Sequence, residues 1–155
     1  MNALATLKDA VGQTPTIALH RLTKGLPGRV AVKLETSNPT GSVKDRVASA
    51  LVDEAEASGA LRAGGTVGAA TSGNTGLALA QIATARGYRV KLVIPEQWSS
   101  ERIPLLLYMG ADVVRTPGAT MPPAIERARK EAREQAGAVL LDQFVSPAKP
   151  EVHRR

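Results

Sequence analysis

A chain of 155 residues is about one domain by size and can bury a core without staples; lacking cysteine, it has neither disulfides nor thiolate metal sites. Its two histidines, His20 and His153, lie far apart and outside any ligand motif, so no metal is expected. The formal charge of +6 raises nucleic acid as a partner, but the basic residues alternate with acids, and one Trp, one Phe and two Tyr leave little for base stacking.

The predicted elements follow in chain order. Met1–Leu7 lacks the basic run and longer apolar stretch of a signal peptide, and no apolar run approaches the ~20 residues that span a bilayer. A soluble, cytoplasmic protein without a membrane partner is the expectation. Val30–Leu34 reads as a strand. Val43–Ser58 reads as a helix with Val47, Leu51, Val52 and Ala55 on one face, and Gly59 supplies its stop. Thr66–Ala70 is a shorter strand, Thr75–Arg86 a small-residue helix closed by Gly87, and Val90–Ile94 a strand halted by Pro95. Ser99 or Ser100 caps a helix that ends near Gly110. Val113–Thr116 and Val139–Leu141 are strands separated by a helix from about Pro123 to Ala136. On that helix Glu126 precedes Lys130, and Arg127 precedes Glu131, at the spacing of a solvated face.

This alternation predicts right-handed crossovers and a parallel α/β sheet with helices on both faces. Val90–Ile94, apolar except for Lys91, fits a strand buried on both sides. Ligands of such sheets bind where strands end and loops lead into helices.

Two loops of that kind stand out. In Asn38-Pro39-Thr40-Gly41-Ser42-Val43-Lys44-Asp45-Arg46 a turn leads to Ser42 as N-cap, with Asp45 placed to return a capping-box bond. Lys44 then lies in the first helical turn, where the dipole disfavours an ammonium ion by ~0.3–1 kcal/mol. That is too little by itself to make a neutral nucleophile, so desolvation or a bound cofactor would have to supply the rest. An ordinary capped helix with an early lysine has the same spacing. In Thr71-Ser72-Gly73-Asn74-Thr75-Gly76 a strand passes into a helix through glycines that admit close approach. Its helical N–H groups and the hydroxyls of Thr71, Ser72 and Thr75 could converge on a carboxylate or phosphate. The loop is neither a Walker A sequence nor G-x-G-x-x-G, and a plain polar connection needs the same residue types.

Taken together, the Asn-Pro-x-Gly-Ser-Val-Lys-Asp-Arg and Thr-Ser-Gly-Asn-Thr-Gly loops resemble those of the cysteine synthase (O-acetylserine sulfhydrylase) and cystathionine β-synthase group of fold-type-II pyridoxal-phosphate enzymes. Val11-Gly12-Gln13-Thr14-Pro15, Gly64-Gly65-Thr66, Ala85-Arg86-Gly87-Tyr88, Pro95-Glu96, Glu101-Arg102, Met109-Gly110-Ala111, Asp142-Gln143-Phe144 and Pro147-Ala148 fall in the same order at similar spacing. The similarity runs from about Leu7 to the last residue and covers the N-terminal half of such enzymes.

The resemblance implies pyridoxal 5′-phosphate as cofactor, Lys44 as the Schiff-base lysine and Asn74 as partner of the cofactor's 3′ oxygen. It implies that Thr71, Ser72, Thr75 and Gln143 hold the carboxylate of a small amino-acid substrate. The implied reaction is β-replacement on an activated serine, O-acetylserine and sulfide giving cysteine, with cystathionine β-synthase chemistry as the alternative. It also implies a division of the chain: residues 1–36 pairing with a C-terminal domain, 37–145 forming a small α/β domain with the lysine and the substrate loop, and 146–155 beginning a crossover. No second glycine-rich loop of the Gly-Thr-Gly-Gly-Thr kind follows Gly76, so a truncated chain is expected. Its partner would be a second copy, as a homodimer, or a complementing C-terminal half; a non-catalytic relative acting as an interaction domain is the other outcome. Departures from the family pattern are Gly68-Ala69-Ala70 before the second loop, Ser146 and Lys149 where asparagines are common, and Pro104 early in a helix.

Overall fold

A four-stranded parallel sheet, in the order β5-β4-β3-β6, carries the fold. The structure is a computed structural model that describes residues 3–98 and 100–154. Its strands are β3 (Thr66–Ala70), β4 (Arg89–Pro95), β5 (Ala111–Thr116) and β6 (Ala138–Leu140). The helices are α1 (Lys44–Ala57), α2 (Asn74–Ala85), α3 (Ile103–Tyr108), α4 (Met121–Glu134) and the short α5 (Ala148–Glu151). A separate antiparallel pair, β1 (Thr16–Ala18) with β2 (Ala31–Lys33), precedes them.

From β3 the chain steps outward through α2 to β4 and through α3 to β5. It then returns by way of α4 to β6 on the other side of β3. Val90, Leu92 and Ile94 pack with α2 and Leu106 of α3 on one face, while Val93 meets Ala124 and Ala128 of α4 on the other. The reading of β4 as a strand buried on both sides therefore holds. Its one charge, Lys91, reaches Glu131 of α4 at 3.0 Å. The α4 ladder forms at Arg127–Glu131, 2.6 Å, whereas Lys130 turns to Glu134 at 3.8 Å.

α2 is built of small residues for a reason. Gly76, Ala78, Ala80 and Ala83 are buried, so α2 lies tightly between the sheet and α1, whose Val47, Ala48, Leu51, Val52 and Ala55 complete the same core. Fully buried Leu51, Leu79 and Leu92 each contribute about 1.5–3 kcal/mol of transfer free energy.

The helices and strands start and stop close to the sequence expectation, apart from the unforeseen α5 and three further differences. β1 was not foreseen, and it is the antiparallel partner of the strand expected at Val30–Leu34, here Ala31–Lys33. The helix near Gly110 is preceded by a 3-10 turn at Ser100–Arg102, with Pro104 just inside α3, so its start is tightened; Ser99, one of its two expected caps, lies outside the described residues. Asp45 does not close a capping box on Ser42. The Ser42 hydroxyl accepts the Lys44 N–H at 3.1 Å, while the fully buried Asp45 carboxylate takes the Thr40 N–H at 2.7 Å and the Thr40 hydroxyl.

Candidate functional site

The loops that leave β3 and β6 are adjacent because those strands pair, although their partner residues are far apart in sequence. Here the strand order reverses, and ligands of open α/β sheets bind outside the carboxyl ends at such a place. Gln143, just past β6, spans the gap. Its Oε1 accepts the Thr75 hydroxyl at 2.8 Å, and its Nε2 reaches the Ala70 carbonyl at 3.5 Å. All three residues are buried, so the two loops form one unit.

Thr71 organises the turn into α2. Its hydroxyl oxygen accepts the N–H of Gly73 at 3.2 Å and of Gly76 at 3.1 Å, and its own N–H is taken by Val93 O at 3.0 Å. The expected convergence of hydroxyls and helical N–H groups on a ligand thus needs refining. Thr71 satisfies the Gly73 and Gly76 donors from inside, and its own hydroxyl hydrogen has no acceptor among the described residues. The N–H groups of Asn74 and Thr75 find no acceptor among the described residues, and the Asn74 side chain is exposed. Gly76 is obligatory on packing grounds: a Cβ there would lie 2.7 Å from Thr71 Cγ2 and 3.3 Å from Leu92 Cδ1.

Lys44 opens α1, half-buried, and its ammonium group makes no hydrogen bond or ion pair with the described residues. No hydrogen bond ties it to the Thr71–Gly76 turn. The two are brought to one end of the molecule by helix packing. Arg86, directly after α2, pairs with Asp53 at 2.9 Å and Glu56 at 3.0 Å in the last turns of α1. The helices therefore lie side by side with their C-terminal ends together, and their N-terminal ends, Lys44 and Asn74, face the opposite way. Both positive dipole ends point toward the rim where β3 ends.

The sequence reading missed a cluster that underlies this rim. Glu35 receives Arg46 Nε at 2.9 Å and Nη2 at 3.0 Å, the Thr14 hydroxyl at 2.7 Å and Asn38 Nδ2 at 2.9 Å. Hydrogen bonding to Arg46, with help from Thr14 and Asn38, holds the Glu35 carboxyl down at about 2 against the desolvation that raises it. Asn38 Oδ1 in turn accepts the Gly12 N–H at 2.8 Å. The only hint in the sequence was the polar Thr14, Glu35 and Arg46 beside loop residues already singled out.

A concavity of about 840 Å³ lies elsewhere, between α1, Lys8 and residues 147–154. Among the described residues no group of three or more His, Cys, Asp or Glu side chains is arranged to hold a metal ion, and no helix is long and apolar enough to cross a membrane.

The site thus sets the Lys44 amine and the Asn74 and Thr75 N–H groups at one end of two adjoining helices, beside the carboxyl rim of a parallel α/β sheet. The family described as "Pyridoxal-phosphate dependent enzyme" matches residues 7–155, and this chain belongs to that family. It is 42% identical over 156 residues to a protein named "Probable cysteine synthase" from Bacillus subtilis, covering 100% of this chain and 50% of that protein. It is 43% identical over 152 residues to "Cystathionine beta-synthase" of Saccharomyces cerevisiae, covering 94% of this chain and 30% of the relative. The crystal structure of O-ureido-L-serine synthase superposes with a TM-score of 0.87 at 38% identity, over 99% of this chain and 48% of that one. The chain thus spans half or less of the length of these relatives.

Proposed function

We propose that this chain carries the lysine-bearing part of a pyridoxal 5′-phosphate enzyme of the cysteine synthase type, acting by β-replacement on an activated serine such as O-acetylserine, with sulfide as nucleophile. The observation that carries the reading is that the Lys44 amine and the Asn74 and Thr75 N–H groups, none with a partner among the described residues, lie at one end of two parallel helices. That donor set fits the cofactor and an amino-acid carboxylate: one amine for an aldehyde, and amide donors for anionic oxygens.

In this reading Lys44 would hold the cofactor through its aldehyde carbon, and Asn74 would give a hydrogen bond to its 3′ oxygen. Pyridoxal phosphate, when bound, supplies an electron sink at the substrate's α-carbon. Ser72, Thr75 and Gln143 grip the substrate carboxylate, with Thr71 contributing its remaining hydroxyl hydrogen while it caps α2. The Thr75–Gln143 bond holds two of those groups in register before substrate arrives. Lys44 would also serve as the general base that takes the proton from the substrate's α-carbon.

Residues 37–145 form the domain that carries these groups, while 1–36 and 146–155 face the remainder of a full-length enzyme. The exposure of both strands of the β1–β2 pair supports that division. A second copy or a complementing C-terminal half is the partner, and the cytoplasm the compartment. Cystathionine β-synthase chemistry is the second reading, favoured by the 43% identity to the yeast relative. The test is borohydride reduction of the chain mixed with pyridoxal phosphate, followed by peptide mapping. Label concentrated on Lys44 is expected; label spread evenly over the exposed lysines would refute the assignment.

A further inference from the structure

The two residues that follow Lys44 are clamped in different directions. Asp45, fully buried, ties back to Thr40 of its own loop. Arg46 ties forward, through a two-pronged bond to Glu35, to a 3-10 turn at Glu35–Ser37 and from there to the N-terminal segment. Lys44 is the unclamped member of the three.

The clamp is three-sided. Arg46 Nη2 also reaches the Thr14 hydroxyl at 3.1 Å, Thr14 in turn bonds Glu35, and Lys33 Nζ holds the Thr14 carbonyl at 2.9 Å. Gly12 passes directly over the guanidinium. A Cβ there would sit 2.8 Å from Arg46 Nη1, and the glycine has φ +87°. The ion pair is largely shielded, with Arg46 and Glu35 side chains 18% and 22% exposed. Shielding and bidentate geometry give direction as well as strength, which a single-pronged lysine cannot reproduce.

We infer that Glu35 and Arg46 are positioning residues for Lys44: their pair fixes the first turn of α1 against the Gly12–Thr14 turn and so sets where the amine can reach. Neither residue need touch the cofactor or substrate. The inference rests on Lys44 being the cofactor lysine, and its experiment separates the two claims.

The chain, Glu35→Gln and Arg46→Lys are each mixed with pyridoxal phosphate, reduced with borohydride and mapped. The readout is the ratio of label on Lys44 to label on Lys24, an exposed lysine in a remote loop. In the unsubstituted chain the ratio must exceed one; a ratio near one sinks the Lys44 assignment itself. Given that preference, the ratio should fall at least about tenfold in both variants, the scale of losing one charge-assisted hydrogen bond. Loosening of the fold alone would raise label at every lysine, including Lys91 on β4, without lowering Lys44 relative to Lys24. Unchanged ratios in folded variants would overturn the positioning role. Should either variant fail to fold, Thr14→Val removes one arm of the clamp and leaves the ion pair. A smaller drop of the ratio is expected there, and no drop would overturn the proposal.

Discussion

Replacing Gly76 by Ala tests the construction of the Thr71–Gly76 loop by adding one carbon. In the folded chain that carbon would lie 2.7 Å from Thr71 Cγ2, 3.3 Å from Leu92 Cδ1 and 3.5 Å from Thr71 Oγ1. Neither neighbour has room to yield: Thr71 is 1% exposed and Leu92 0%. Moving Thr71 also disturbs the oxygen that accepts the Gly73 and Gly76 N–H groups. Overpacking of this kind costs about 1–3 kcal/mol and loss of a cap about 1 kcal/mol, while the better helix propensity of alanine returns at most about 1 kcal/mol. The net expectation is about 1–3 kcal/mol of destabilisation. At roughly 2–4 °C per kcal/mol for a chain of this size, the melting temperature should fall by about 2–12 °C. Gly68→Ala is the matched control, because its Cβ would meet only Val139 O at an ordinary 3.7 Å. Urea or thermal unfolding of the two variants beside the parent gives the answer. A Gly76→Ala protein as stable as Gly68→Ala would refute the claim that Thr71 and Leu92 enforce glycine at this position.

Three further outcomes follow from the same geometry. Because the Glu35 carboxyl is held at about 2 in the folded chain against an ordinary 4.5, its contribution is present above the higher value and lost as pH falls through the lower one; at about 1.36 kcal/mol per pH unit it amounts to roughly 3 kcal/mol. Glu35→Gln should therefore be less stable than the parent at pH 6, and urea midpoints should show the difference shrinking toward pH 3. Gln143→Leu strands the buried Thr75 hydroxyl and should cost about 1–3 kcal/mol in chemical denaturation, with the fold retained. Lys44→Ala removes a side chain whose ammonium group bonds nothing described and which opposes the dipole of α1, so its melting temperature should equal or slightly exceed the parent's.

The main sheet was legible because its strands obey simple rules. Val90–Ile94 announced a buried strand by an almost unbroken apolar run, and Val47, Leu51, Val52 and Ala55 set the inner face of α1 by their spacing. β1 was not legible. Thr16, Ile17 and Ala18 are exposed in this chain, so no buried face imposes an alternating pattern. α5, only Ala148–Glu151 and containing Pro150, carries too little periodicity to be read as a helix.

The candidate residues were named from their loops, but their partners were not. Whether Asp45 serves Ser42 or Thr40 depends on how Gly41, at φ +77°, folds the turn back. The inward rotation of Thr71 depends on the space beside Gly76. Glu35 and Arg46 meet across 11 residues, through a 3-10 turn that leaves no periodic trace. Local chemistry can be read from one loop at a time; a clamp shared by three segments exists only once they pack.

The central claim is that the Lys44 amine captures the aldehyde of pyridoxal phosphate. Equilibrium titration of the chain and of Lys44→Ala with pyridoxal phosphate, followed by visible absorbance after removal of unbound cofactor, tests it most directly. The account predicts a retained, saturable band in the parent and none in Lys44→Ala at equal stability. A band of equal strength in both would show that a different lysine holds the cofactor.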